Sequence, residues 1–146
     1  MSQPEETRVR DAVRQDPHVV NGLASVAEAM RLFETSGHDT LVIDKRSPDD
    51  EYGVLTISMI ARQVFAQNRA ARRVSVYEVM EKPAINLSGN MQARYAIRLL
   101  TRLNLDVALV VENDQLIGTV GLRELTLAEF ASNVPPAENV QNSEKE

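Results

Sequence analysis

The chain repeats itself, and a repeat constrains architecture more tightly than any local propensity. Val26, Ala29, Met30 and Phe33 stand at the i, i+3, i+4, i+7 spacing that lines one face of an α-helix. The residues 67 positions later, Ala93, Ala96, Ile97 and Leu100, are apolar again. The same shift carries the run DTLVI at Asp39–Ile43 onto DVALV at Asp106–Val110, and both read as buried strands that follow a helix. Turn chemistry comes next in each case, Asp44–Tyr52 (DKRSPDDEY) and then Glu112–Gln115 (ENDQ), which reads as two hairpin loops, the connection from Ile43 to Gly53 being two residues longer than that from Val110 to Gly118. Beyond them the shift is 65, so that Gly53, Val54 and Leu55 match Gly118, Thr119 and Val120, and Ile57, Ile60 and Phe65 match Leu122, Leu125 and Phe130.

Each half therefore reads as short strand, helix, strand, hairpin, strand, helix, with leading strands near Val19–Val20 and Ala84–Ile85. A half of about 50 residues is too small to bury its own sheet. Two of them packed sheet against sheet hide both apolar faces, which predicts an α+β fold with pseudo-twofold symmetry and Ala70–Val74 as the connector. The expected division is an N-terminal extension at 1–15, repeats at 16–73 and 74–132, and a disordered polar tail at 133–146 (NVPPAENVQNSEKE). The opening residues, Met1 to about Thr7, have a similar composition.

Composition removes several classes of function. Sixteen basic against 21 acidic side chains leave a net charge of −5, and aromatic residues make up only 4%, so neither a field nor a stacking platform for nucleic acid is present. The absence of cysteine excludes disulfides and thiolate chemistry. No run approaches the ~20 apolar residues of a membrane span. The charged start MSQPEETRVRD does not fit a signal peptide, so a cytoplasmic protein without membrane association is expected. His18 and His38 lack metal-ligand spacing and read as surface or pocket-edge residues. The acidic tip Asp49–Glu51 lacks the spaced ligands of a calcium loop, and Arg62, Arg69, Arg72 and Arg73 read as a solvated helix end and linker or, alternatively, a phosphate patch. No catalytic motif is found, and no enzyme activity is expected.

The tandem pattern, with VSVYEVMEKPAINL at the junction and the paired segments YGVLTISMI and IGTVGLREL, resembles a CBS-domain pair, or Bateman module, from about Pro17 to Asn133. The resemblance implies β-α-β-β-α repeats and clefts between them that take an adenosine-containing ligand: AMP, ADP, ATP or S-adenosylmethionine. It further implies an energy-sensing or other regulatory role exerted on an effector protein, with homodimerisation through the helices.

The fingerprint of that family is Gly-h-h-(Ser/Thr)-x-x-Asp, where h is hydrophobic. Here Gly53 and Thr56 match in the first half while Met59 stands in the Asp position. In the second half Gly118 matches, Glu124 replaces Asp and Gly121 replaces the hydroxyl. A thioether cannot bind a ribose diol as a carboxylate can, so the second-half site is expected to be the stronger. Val20, Thr40, Ile85, Val120 and Arg123 complete the ligand-binding set that the resemblance implies.

The residues also admit plainer roles. Thr56 can cap a helix, Glu124 can complement a helix dipole, and Gly53 and Gly118 can mark tight strand packing. The incomplete fingerprints, Met59 and Gly121, motivate a second reading in which the module docks or dimerises without nucleotide. In that case it would use the helix faces near Met30, Phe33, Leu99 and Leu100, unless these fill the interior.

Overall fold

In the computed structural model, residues 6–133 are described; the expected disordered tail lies outside them apart from Asn133, as do Met1–Glu5. The first part of the chain gives β1 (Arg14–Gln15), β2 (Val19–Val20), α1 (Val26–Ser36), β3 (Thr40–Ile43), β4 (Gly53–Thr56) and α2 (Ile57–Ile60), which continues as a π turn over Ala61–Phe65. The second gives β5 (Asn86–Leu87), α3 (Ala93–Leu103), β6 (Val107–Glu112), β7 (Gln115–Gly121) and α4 (Leu122–Ser132). One sheet has the order β2-β3-β4 and the other β1-β7-β6-β5. In each, a leading strand lies parallel to the middle strand and the hairpin is antiparallel. Among the described residues no helix is long and apolar enough to cross a membrane.

The uninterrupted apolar runs follow from burial on both faces. Leu41 and Ile43 of β3 pack with Phe33 of α1 and Ile60 of α2. Val42, between them, joins Val54, Ala84, Val107 and Leu109 in an interior that belongs to both sheets. The second half repeats this arrangement, with Ala108 and Val110 packing beside Ala96, Leu100 and Leu125. The layers are therefore helices, sheet, sheet, helices, as the pseudo-twofold reading requires. Even the helix ends repeat: α1 stops at Gly37 (φ 73°) and α3 at Asn104 (φ 58°), left-handed termini 67 residues apart.

The duplication reaches further toward the N-terminus than Val26. Short 3₁₀ turns at Val9–Asp11 and Val76–Glu78 are again 67 apart. In the first the Arg8 N–H donates to Asp11 at 2.9 Å, and in the second the Ser75 N–H donates to Glu78 at 2.8 Å. Each turn packs on the opposite half. Val76 N–H donates to Ala24 C=O and Tyr77 N–H to Gly22 C=O, while Val9 N–H donates to Met91 C=O and Arg10 N–H to Gly89 C=O, at 2.8 and 3.0 Å in both pairs. Val76 is buried in the first core and Val9 in the second, both fully.

The arms end by pairing with the last strand of the other half: Glu81 bridges Val54, and Arg14 pairs with Thr119 in β1-β7. The stretch read as an extension is thus part of the second sheet, and the stretch that opens the second repeat completes the first. The exchange also explains two glycines. A Cβ at Gly53 would stand 3.0 Å from Met80 Sδ and 3.1 Å from Glu81 O, and one at Gly118 would collide with the backbone carbonyl of Arg14.

One expected boundary moves. The second leading strand is Asn86–Leu87, not Ala84–Ile85, because the pairing of β5 with β6 reproduces that of β2 with β3. Ala84 instead enters the shared interior, where its N–H donates to Tyr52 C=O at 2.9 Å. The helix faces expected to supply a dimer contact are also corrected in part. Phe33 (5% exposed) and Leu100 (0%) fill the cores, and Met30 and Leu99 pack partly buried against them.

Candidate functional site

A cleft of about 620 Å³ opens at the seam between the halves. It is built at the ends of strands, where the chain turns into or out of a helix. Asp39 and Thr40 stand at the start of β3, Asp106 and Val107 at the start of β6, Thr56 and Ser58 where β4 becomes α2, and Gly121, Arg123 and Glu124 where β7 becomes α4. The exchanged β1 adds Arg14.

The pseudo-twofold mate of this cleft measures only about 90 Å³. Its wall includes Thr56, Met59 and Arg62, where the larger cleft has Gly121, Glu124 and Leu127, and Glu81 and Asp106, where the larger has Arg14 and Asp39. The small cleft is also lined by Ile85 and Leu105. Their repeat partners are His18 and His38, whose half-buried rings meet edge to face with centroids 4.4 Å apart. Burial, and then the positive charges of Arg14 and His18, hold His38 below its ordinary value.

Local geometry differs between the two halves as their sequences do. Thr56 Oγ1 accepts from Met59 N–H at 3.3 Å, so this hydroxyl caps α2 while also lining both clefts. Gly121 offers no such cap, and the Glu124 carboxylate folds over it: a Cβ at Gly121 would collide with Glu124 Oε1. Arg123 donates to Glu124 Oε2 at 3.5 Å, and both side chains reach solvent.

Of the residues expected to bind ligand, Thr40, Thr56, Gly121, Arg123 and Glu124 meet at the larger cleft, and Ile85 lines the smaller with Thr56. The others lie elsewhere. Val20 borders a separate groove of about 390 Å³ beside α1, Gly53 and Gly118 sit beneath the exchanged arms, and Val120 is buried in the second core. Sequence reasoning missed Arg14, Asp39, Asp106 and Ser58. A signal existed for the two aspartates, since both copies begin the middle strand with the same acidic residue.

Two of the remaining flagged groups have structural partners. Arg69 pairs with Glu78 at 2.9 Å, and Asp50 of the acidic tip accepts from Lys82 at 2.6 Å. No group of three or more potential metal ligands occurs among the described residues. The larger cleft therefore offers three carboxylates and hydroxyls as acceptors and two guanidiniums as donor forks, over partly apolar walls.

Comparison with known proteins agrees with this fold. The family model for the CBS domain matches residues 76–130. A search of curated proteins finds no match. Among solved structures, the hexameric CBS-CP12 protein from bloom-forming cyanobacteria is similar over 97% of this chain and 82% of its own, at 22% identity and a TM-score of 0.85. The CBS-domain containing protein ATU1752 from Agrobacterium tumefaciens is similar over 88% and 97%, at 21% identity and a TM-score of 0.75. The CBS domain pair of protein MJ0100, solved with 5′-methylthioadenosine and S-adenosyl-L-methionine, is similar over 83% and 98%, at 20% identity and a TM-score of 0.70. Residues 76–130 thus match the CBS-domain family model, and the described chain as a whole has the fold of a tandem CBS-domain pair.

Proposed function

We propose that the chain is a regulatory, non-catalytic module of the cytoplasm that takes one adenosine-containing molecule, of the AMP, ADP, ATP or S-adenosylmethionine kind, in its larger cleft and signals occupancy to an effector protein. The observation that carries this reading is the inequality of the two clefts. About 620 Å³ lies within the ~300–1,000 Å³ usual for small-molecule sites, whereas about 90 Å³ falls well below it. In this reading Glu124 accepts from the ribose hydroxyls, and Arg14 and Arg123 donate to the phosphate or carboxylate end. The ligands bound by MJ0100 support the adenosyl class.

Both halves wall the cleft, so a ligand that bridges them stabilises one relative orientation. It shifts the population only as far as it prefers that orientation. Assembly with a second copy belongs to the same reading, and the exposed Ile57, Phe65, Leu127 and Phe130 of the second helices supply apolar area for it. The hexameric state of the CBS-CP12 protein is in keeping with this.

The test is a thermal melt with each of the four ligands. One held at 100 times its dissociation constant adds ~2.7 kcal/mol, a shift of several degrees. No shift with any of them refutes ligand sensing. That outcome would favour the second reading, a docking module without nucleotide, which Met59 and Gly121 in the fingerprint positions motivate.

A further inference from the structure

A duplicated fold carries its own control: what the architecture needs is present in both copies. The sharpest departure from the repeat lies at the far end of β3 and β4 from the seam cleft. There the longer hairpin after Ile43 and the exchanged arm Tyr77–Lys82 together line a cavity of about 840 Å³, larger than either cleft between the halves. Ile43, Met80 and Tyr77 give it apolar wall, and Lys45, Arg46 and Lys82 give it three cations.

The second half differs at the corresponding positions. Its hairpin is a tight turn through Asn113 and Asp114, both with left-handed backbone (φ 53° and 62°). Lys45 is replaced by Glu112, which accepts from Gly89 N–H at 3.2 Å, and Lys82 by Gln15. Arg46 is replaced by Asn113, so the fold forms this end without any of the three cations, although Arg10 stands there in the place of Tyr77.

The cations are not all neutralised. Asp50 accepts from Lys82 Nζ at 2.6 Å and from the Arg46 backbone N–H at 2.8 Å, and its carboxylate lies 3.5 Å from Arg46 Nε, so one acid serves two bases and ties the hairpin to the arm. Lys45 Nζ stands 5.0 Å from the centre of the Tyr52 ring and forms no ion pair among the described residues. With Asp44 as the second acid, the cavity holds three cations against two carboxylates in a chain of net charge −5. The excess is local and faces an apolar wall that includes the Tyr77 ring, a combination that retains an anion attached to an apolar body better than a bare ion.

We propose that this cavity is a second binding site, separate from the seam cleft, for a small anion bearing an apolar group: its acid end meets Lys45 and Arg46, and its apolar part lies against Tyr77 and Met80. The site rests on none of the adenosyl argument.

The test is a ¹H–¹⁵N titration of the full chain with phenyl phosphate, with benzoate in a parallel arm and uncharged phenol as control. The two acids are expected to give saturable shifts at residues 21–23, 44–50 and 77–82, and phenol weaker ones. K45A and R46A, whose side chains lie outside both cores, are each expected to weaken binding about three- to fivefold, and the double variant about tenfold or more. Lys45→Glu, which restores the residue type of the other half, should abolish saturation. An unchanged dissociation constant in the double variant, equal binding of phenol, shifts confined to the seam cleft, or no saturable shift up to the solubility limit would each overturn the proposal.

Discussion

Val9 lies near the N-terminus yet is fully buried in the core of the second half, while Val76 opens the second half and is fully buried in the first. Truncating either to alanine removes two methyl groups at ~0.8 kcal/mol each. Incomplete collapse around a void of roughly 40–50 Å³ adds ~1 kcal/mol at ~24 cal/mol per Å³. A loss of ~2–3 kcal/mol is therefore expected for each, or a melting point lower by roughly 6–12 °C in a chain of this size. The equality of the two costs is half of the prediction, and their location is the other half. In native-state hydrogen exchange, Val9→Ala should speed the amides of α3 and β6 and spare α1 and β3, and Val76→Ala should do the reverse. A Val9→Ala variant that melts with the parent, or that loosens its own half, would refute the exchange of arms.

Four further outcomes follow. Glu124→Ala should weaken an adenosyl ligand by about ten- to a hundredfold, the value of a hydrogen bond to a charged acceptor, and by more than Met59→Ala does; calorimetric titration of both variants decides. Thr56→Ala should lower the melting point of the unliganded protein by the ~1 kcal/mol of a lost cap, and a variant that melts like the parent would remove the capping role. Glu78, held below its ordinary 4.5 first by the Ser75 N–H and then by Arg69, stabilises the fold above that pH and loses the contribution as its folded-state carboxyl protonates; Glu78→Gln should be less stable at neutral pH, with the difference closing below 4.5. His38 resists protonation in the folded state, so stability should fall as the pH drops below 6.5; His38→Leu, which installs the residue of the other half, should abolish that decline in denaturant melts.

Most of the architecture was legible because both middle strands are buried on two faces. Double burial leaves continuous apolar runs, and duplication let each copy vouch for the other. The arms were harder to read. Val9 and Val76 obey the same shift of 67, but the residues that follow them differ in charge, Arg10 against Tyr77 and Arg14 against Glu81, so the match falls below the level at which a repeat stands out. That they cross over is a property of long-range backbone pairing, which no local pattern encodes.

The second leading strand was misplaced for a related reason. Ala84 and Ile85 are the apolar pair, yet hydrogen bonding selects Asn86 and Leu87, one exposed and one buried. At the seam cleft, the fingerprint positions pointed to Thr56, Gly121 and Glu124. Arg14 could not have been found without the arm that delivers it, nor could the collapse of the first-half cleft to about 90 Å³.

The most direct measurement of the central claim is the stoichiometry of ligand per chain, read by native mass spectrometry of the 146-residue chain with each of AMP, ADP, ATP and S-adenosylmethionine and repeated on Glu124→Ala. The account predicts one bound molecule per chain, lost or sharply weakened in the variant. Two equivalent molecules per chain, or one that Glu124→Ala leaves in place, would contradict it.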